Sequence, residues 1–184
     1  MNRHRDDDIQ TILQEMRSDY WRHLEADNEQ ASAATEDFLV VRIADRRYAL
    51  PAGDCREVLR LPALVRVPRV PAHIRGIFNL RGEIVAVTDL APLFASPPQE
   101  ILAGSRLVVT ARGGMKTALL VAAVEGLTSL ETARIEPLAD GAAAGQRELF
   151  RGKRNEEGES LLVLNLDKVL ERPELLIDQK GQMS

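Results

Sequence analysis

The residues of this 184-residue chain that could catalyse a reaction or hold a metal do not form a known catalytic or metal-binding pattern. His4, His23 and His73 are scattered, and none has Cys, Asp or Glu at the spacing of a zinc site. Cys55 is the only cysteine, so neither an internal disulfide nor a multi-cysteine metal site can form. The sequence therefore predicts a protein with no metal and no other cofactor.

Two enzymatic interpretations are weak but open. Glu57, Glu83 and Asp89 could form a carboxylate pair for acid–base chemistry, although turn, cap and surface roles are favoured. Cys55 sits among apolar residues without an obvious base, which favours a small buried side chain over a nucleophile. The chain contains no G-x-x-x-x-G-K-[ST] phosphate loop and no G-x-S-x-G motif. We therefore expect no catalytic activity.

The most specific stretch is residues 71–90, P-A-H-I-R-G-I-F-N-L-R-G-E-I-V-A-V-T-D-L. It predicts two apolar strands, at 76–80 and 83–88, joined through Arg81-Gly82. Asp89 then follows as a plausible N-cap of a short helix. Strong patterning without reactive side chains favours a surface that binds a partner.

The rest of the sequence predicts more short strands, so the expected fold class is mainly β. Hairpins are predicted at 38–50 and around Gly113-Gly114, a short helix or bent strand at 54–60, and single strands at 124–130 and 160–166. Such close spacing is typical of barrels or sandwiches rather than of a parallel sheet. Two similar strand ends, Asp89-Leu90 and Asn165-Leu166, each precede a short helix and suggest two similar barrels.

The two ends of the chain differ in charge from its middle. Residues 1–37 carry four Arg against ten Asp and Glu, a net charge of −6, whereas residues 38–95 carry nine Arg against five acids, a net charge of +4. The arginine excess is either ordinary solvated charge or a face for an acidic or polar partner.

The N-terminal segment at 6–29 predicts an amphipathic helix. One apolar stripe at helical spacing contains Ile9, Ile12, Leu13, Met16, Tyr20 and Leu24. The helix either packs on its own domain, or pairs with a second copy, or recruits another protein. The sequence leaves these alternatives open.

The pattern divides the chain into three parts. Residues 1–36 are predicted as a helical extension and linker, 37–176 as one domain of two β-barrel subdomains with a break near 96–105, and 177–184 as a tail. The N-terminus lacks the apolar region of a secretory signal. The longest apolar run, Ala118 to Val124, is far shorter than the ~20 residues of a membrane helix. We therefore expect a cytoplasmic protein.

Several of these motifs together resemble the CheW family. They are Tyr48-Ala-Leu-Pro, Glu57-Val58-Leu59, Val67-Pro68 and the 71–90 run with its N-L-R-G-x-I core. Residues 164–170 are similar to the family's terminal L-D-L-D-K-L-L, with Asn165 replacing an acid. The resemblance covers about residues 38–170. It implies two five-stranded SH3-like β-barrels, with the predicted N-terminal helix added in front and a short C-terminal helix.

The resemblance also implies a function and partners. It describes a non-catalytic adaptor that couples a methyl-accepting chemoreceptor to a CheA-type histidine kinase in a chemotaxis or chemosensory two-component pathway. Such an adaptor works at the inner face of the membrane without inserting into it. The helical extension is unusual for a minimal adaptor and suggests a specialised paralogue.

The site residues follow from the resemblance position by position. The receptor groove is expected at Cys55, Glu57, Gly76, Arg81 and Ile84, and the kinase and ring contacts at Ile135, Glu136, Pro137 and Asp140. Arg81 has a rigid fork of donors that suits a receptor helix, while a structural salt bridge, for example to Asp89, is the alternative. For Gly76 and Gly82, simple turn geometry is the alternative.

The sequence departs from the family pattern at three places. Cys55 stands where the family more often has Val or Ile, and Ala122 where it usually has Asp. In the ring segment I-R-P-x-P-x-F, the Arg is replaced by Glu136 and the aromatic residue by Gly141. We therefore expect ring contacts that are weak or altered.

The alternative function is a small β-barrel that binds nucleic acid, or another protein-interaction module. Nucleic-acid binding is supported by the arginine excess alone. Stacking on bases needs exposed aromatic rings, and most of the candidates, Phe38, Tyr48, Phe78 and Phe94, are predicted to be buried. The resemblance favours the adaptor, with no nucleic-acid partner.

Overall fold

A computed structural model describes residues 34–138, 147–156 and 158–172. The predicted helix at 6–29 and the tail at 177–184 lie outside these residues. The described part is mainly β, as predicted, and none of its helices is long and apolar enough to cross a membrane. Its elements are β1 (Thr35–Ile43), β2 (Arg46–Pro51), β3 (Cys55–Arg60), β4 (Ile74–Leu80), β5 (Glu83–Asp89), β6 (Arg106–Arg112), β7 (Met115–Val121), β8 (Ala123–Glu131), β9 (Phe150–Glu156), β10 (Glu159–Leu164) and α1 (Leu166–Leu170).

The strands form two five-stranded sheets with the same internal plan. Sheet A has the order β8-β1-β2-β10-β9, and sheet B has the order β3-β6-β7-β5-β4. Each sheet joins two antiparallel hairpins through one parallel pair, which is β2 with β10 in sheet A and β5 with β7 in sheet B. The predicted similarity between the two halves is therefore real at the level of strand order.

The boundary between the sheets differs from the predicted break near 96–105. That segment connects β5 to β6, and both strands belong to sheet B. The chain instead leaves sheet A after β2, builds the whole of sheet B, and returns to sheet A at β8. The prediction failed because β1 and β2 pair with strands more than 70 residues later, and such long-range pairing has no local sequence signal.

In each sheet, the segment that follows one edge strand forms a backbone bridge with the opposite edge strand, and this bridge closes the sheet. After β3, Val65 forms a two-way backbone bridge with Ile77 of β4, with N–O distances of 2.9 Å in both directions. After β8, Glu136 bridges Lys153 of β9 in the same way, at 2.9 and 2.8 Å. Closure satisfies the edge backbone groups, which would otherwise be exposed.

The core has three layers because the central strands are buried on both faces. Alternate residues of β1 and β6, such as Val41 and Val108, point into a shared cluster between the sheets. Their neighbours, such as Val40 and Val109, point into the interior of their own sheet. Two buried faces explain why these strands read as continuous apolar runs rather than as an alternation of apolar and polar residues.

A buried polar network centred on Asp89 fixes the long connection after β5. The Asp89 side chain is fully buried and pairs with Arg75 at 2.8 Å. It also accepts hydrogen bonds from the Gln99 backbone and side-chain nitrogens and from the Ala91 amide. Ala91 starts a 3-10 helix, although the capping position itself is Leu90. Gln99 in turn contacts the backbones of Ala44 and Leu120, so it ties sheet A to sheet B.

We predict that Asp89→Ala lowers the free energy of unfolding by about 3 kcal/mol or more, because the change leaves Arg75 and Gln99 without their buried acceptor. Urea denaturation followed by circular dichroism measures the loss. The control is Glu83→Ala, which removes an exposed ion pair with Lys116 and should cost about 1 kcal/mol or less. Equal losses for the two variants would contradict the central role of Asp89.

Candidate partner-binding site

The β4–β5 hairpin presents Arg81 at its tip. Leu80 pairs with Glu83, so Arg81 and Gly82 alone form the loop, as predicted. Both have positive φ angles, 51° and 93°, which is the geometry of the two-residue turn that suits the twist of a hairpin. The Asn79 side chain accepts a hydrogen bond from the Gly82 amide at 2.8 Å and supports the turn.

The backbone conformation of Arg81 is unusual for its residue type. A left-handed conformation at a residue other than Gly or Asn costs roughly 1–2 kcal/mol. The conformation is part of the two-residue turn, whose tip carries a long cationic side chain. Strained residues of this kind are concentrated at functional sites.

The Arg81 guanidinium reaches across to Glu57 on β3. Two parallel hydrogen bonds, at 3.0 and 2.9 Å, join the two side chains. The Arg81 side chain remains 73% exposed, whereas that of Glu57 is 15% exposed. Glu57 therefore fixes the direction of the guanidinium while leaving most of its surface open to a partner.

The alternative salt bridge from Arg81 to Asp89 is not formed. Asp89 lies at the far end of β5 from the turn, with the length of the strand between the two residues. Its arginine partner is Arg75, and the partner of Arg81 is Glu57. Sequence reasoning missed this pairing because the two residues meet only when the sheet closes β3 against β4.

Ile84 gives the site an exposed apolar component. It follows Glu83 on β5, pairs with Asn79, and is 65% exposed. Its neighbour Val85 points inward and is buried. A helix-in-groove contact uses exposed apolar side chains together with directed polar groups, and the β4–β5 hairpin carries one of each in Ile84 and Arg81.

Cys55 belongs to the packing of the site rather than to its exposed surface. Its side chain packs against the core shared by the two sheets, and its thiol contacts the Pro51 carbonyl at 3.5 Å. Burial, with a smaller contribution from neighbouring Asp54, raises the pKa of the thiol to about 12. A raised pKa disfavours the thiolate at neutral pH, which does not suit Cys55 to the role of a nucleophile.

Arg112 joins the elements next to Cys55. Its guanidinium donates to both carboxylate oxygens of Asp54 at 2.8 Å and pairs with Asp167 at the start of α1. These partners, Asp54 first, raise the pKa of Arg112. The residue connects a sheet B strand to the helix that follows sheet A. The sequence gives no local signal for this contact, since the residues are 58 and 55 positions apart.

Gly76 shapes the site through the backbone. Its φ angle is 144°, and a Cβ atom there would lie 2.7 Å from the Val65 carbonyl oxygen. That oxygen accepts one of the two hydrogen bonds that close sheet B. Gly152 has the same role in sheet A, where a Cβ atom would clash with the Glu136 carbonyl. Gly76 therefore contributes to closure through its backbone, whereas Arg81 and Glu57 contribute side chains to the site.

The described residues do not assemble a catalytic or metal centre. Glu57, Glu83 and Asp89 each have a separate cation partner and do not form a carboxylate pair. Within 34–138, 147–156 and 158–172, no three His, Cys, Asp or Glu side chains are grouped so that they could hold a metal ion.

The predicted ring segment begins where sheet A closes. Ile135 is partly buried against the interior of sheet A. Glu136 forms the closing bridge through its backbone, which leaves its side chain exposed beside exposed Pro137. Asp140 and Gly141 lie outside the described residues.

The aromatic rings are used in the core. Phe38, Tyr48 and Phe78 are buried, as predicted, and Phe94 stacks on Tyr48 with 5.0 Å between ring centroids. Base stacking on this part of the chain therefore has no platform among these rings.

Comparison with known proteins agrees with this geometry. A family model described as the CheW-like domain matches residues 37–174, which include both sheets and every candidate contact residue. The chain belongs to the CheW family. CheW-family proteins are scaffolds without catalytic activity.

Relatives and a solved structure extend the comparison. The chain is 30% identical over 137 residues to protein FrzA of Myxococcus xanthus, which covers 74% of this chain and 86% of FrzA. It is 24% identical over 133 residues to the chemotaxis protein CheW of Rhizobium meliloti, covering 72% and 86%. The crystal structure of the scaffolding protein TtCheW from Thermoanaerobacter tengcongensis has the same fold, with a TM-score of 0.68, 24% identity, and coverage of 80% of this chain and 94% of TtCheW.

We predict that Gly76→Ala lowers the free energy of unfolding by about 2 kcal/mol or more, because the new Cβ pushes against the closing bridge. Gly82→Ala is the matched control, since it has a positive φ but open space around it, and should cost about 1 kcal/mol. Chemical denaturation measures both. A Gly76→Ala protein as stable as Gly82→Ala would show that closure does not require glycine.

Proposed function

We propose that this chain is a non-catalytic adaptor that couples a methyl-accepting chemoreceptor to a CheA-type histidine kinase in a chemosensory pathway. The observation that carries the proposal is the match of residues 37–174 to the CheW-like domain, combined with an exposed, oriented Arg81 at the tip of its N-L-R-G hairpin. The names of similar proteins, chemotaxis protein CheW and scaffolding protein TtCheW, support it.

The proposed receptor surface is built on Arg81, Glu57 and Ile84. Arg81 donates to polar groups of the receptor helix hairpin, Glu57 holds the guanidinium in place, and Ile84 packs against apolar receptor side chains. Cys55 and Gly76 act from behind this surface, by packing and by closure of sheet B. A receptor tip that presents acidic or carbonyl groups beside apolar residues matches this chemistry.

The proposed kinase and ring surface comprises Ile135, Glu136 and Pro137, at the closing end of sheet A, together with Asp140, which lies outside the described residues. It is separate in sequence and in sheet from the receptor surface, so one chain can bind both partners at once. The exposed carboxylate of Glu136 stands where the family pattern has a guanidinium. We propose that this reversal weakens the ring contact or selects a partner with the opposite charge.

The proposed organisation is one adaptor domain at 37–176 with extensions at 1–36 and 177–184. The adaptor acts in the cytoplasm, held at the inner face of the membrane by the receptor it binds. This location follows from the proposed partner.

We predict that Arg81→Glu lowers affinity for a chemoreceptor cytoplasmic tip by at least about tenfold, because it places like charges at Glu57 and removes the donors. Affinity for the CheA regulatory domain should stay within about twofold, since its surface is on the other sheet. Isothermal titration against each purified partner measures both values.

The control separates binding from structure. The double variant Glu57→Arg, Arg81→Glu reverses the ion pair and keeps it intact. If Arg81 only stabilises the hairpin, the double variant should recover receptor affinity. If Arg81 contacts the receptor, affinity stays low although the protein is as stable as the parent. Recovery in the double variant would refute the contact.

We predict that Glu136→Arg strengthens the ring contact and raises affinity for the CheA regulatory domain by about tenfold, because it restores the family charge at an exposed position. Glu100→Arg, which makes the same change of charge at an exposed position between β5 and β6 of sheet B, controls for a general change of charge. Titration of both variants decides the question. A parent affinity already equal to that of Glu136→Arg would contradict a weakened ring.

A further inference from the structure

A second surface of sheet B combines exposed apolar side chains with arginines that lack acidic partners. We define the basic apolar surface by Arg60, Leu61, Arg66, Ile101, Leu102 and Arg106. Two hollows, of about 460 and 630 Å³, share Leu61 and Ile101 in their walls, so they adjoin one another. None of the residues that line either hollow is an Asp or a Glu.

The arginines of this surface form no ion pair with an acidic side chain of the described residues, as is also true of Arg46, Arg56 and Arg69, whereas most other described arginines are paired. Arg47, Arg75, Arg112 and Arg151 each form an ion pair with a carboxylate. Within the described residues, Arg60 and Arg66 form none, although both are exposed. Arg106 donates only to backbone carbonyls in the 103–105 turn. The positive charge of this surface is therefore not neutralised within the described fold.

The apolar component of the surface is exposed to solvent. Leu102 is 58% exposed and Ile101 is 41% exposed, and both residues line the same hollow. They are two of the four large hydrophobic side chains that the described residues expose, the others being Val65 and Ile84. Exposed apolar side chains that lie together mark an interaction site, whereas scattered ones do not.

We propose that the basic apolar surface binds an acidic amphipathic helix of a partner protein. Apolar residues of the helix enter the hollows beside Ile101 and Leu102, and its carboxylates pair with Arg60 and Arg66. A β-strand of the partner does not fit at the Val65–Ile77 bridge of sheet B, because these two residues already satisfy each other's backbone groups. Recognition there depends on side chains, as in helix-in-groove contacts.

This surface goes beyond the receptor and kinase surfaces. It contains neither Arg81 nor Ile84, and it lies on the other sheet from residues 135–137. The partner is defined by its chemistry, an apolar stripe flanked by an excess of Asp and Glu. The segment at 6–29 of this chain has such a composition, with eight Asp and Glu against two Arg, and so provides a suitable probe.

The test measures fluorescence anisotropy of a labelled peptide of residues 6–29 titrated with the full chain. A second titration uses a full chain carrying Ile12→Asp and Met16→Asp, in which the chain's own segment no longer competes. We expect saturable binding to at least one of the two chains, weakened several-fold when NaCl is raised from about 50 to about 300 mM. Binding to the second chain alone would support the surface and identify the chain's own segment as an occupant.

Variants locate the contact. Arg60→Glu with Arg66→Glu, and separately Leu102→Asp, should each reduce peptide affinity at least about tenfold. Arg46→Glu with Arg134→Glu has the same change of net charge at exposed positions of the sheet A part of the chain and should leave affinity unchanged. Receptor-tip affinity should be unaffected by all of them, which distinguishes this surface from the proposed adaptor function.

Three results would overturn the proposal. They are the absence of saturable peptide binding to either chain, equal losses in the control and surface variants, and equal binding of a polyglutamate peptide that lacks apolar residues. Unfolding curves of each variant confirm that the comparison is made between folded proteins.

Discussion

The structure depends on a layer of apolar side chains that sheets A and B share. Leu39 and Val41 of β1 meet Val108 and Leu119 of β6 and β7 in this layer. The same strands must also fill the interiors of their own sheets, so their central residues, 38–41, 107–109 and 118–121, are all apolar. The buried Thr110 and Thr117 are hydrogen-bonded, because an unpaired polar group in the core would be costly. This constraint leaves turns, closing segments and edge strands as the places where exposed residues of the proposed partner surfaces can lie.

The binding surfaces follow from how each sheet closes. A five-stranded sheet can turn back on itself only where two backbones approach very closely, which Gly76 and Gly152 permit. Closure of sheet B brings β3 beside the β4–β5 hairpin and so puts Glu57 within reach of Arg81. Closure of sheet A sets Glu136 at an exposed position. A glycine at the closing bridge of each sheet thus helps to position residues of both proposed partner surfaces.

Much of the fold could be predicted because its signals are local. The N-L-R-G turn and the Gly113-Gly114 hairpin are determined by residues that need positive φ angles. The β4–β5 hairpin and its exposed arginine were therefore predictable from sequence. The interleaving of the sheets was not, because β1 and β2 pair with strands that follow sheet B in the chain. The pairing of Arg81 with Glu57, and of Asp89 with Arg75 and Gln99, also depends on contacts distant in sequence.

The most direct test of the account is whether one chain binds a receptor and a kinase together. Sedimentation velocity of the full chain mixed with a chemoreceptor cytoplasmic tip and a CheA regulatory domain measures this. The account predicts a ternary complex, because the two surfaces lie on different sheets and do not overlap. Mutually exclusive binding of the two partners, or binding of neither, would contradict it.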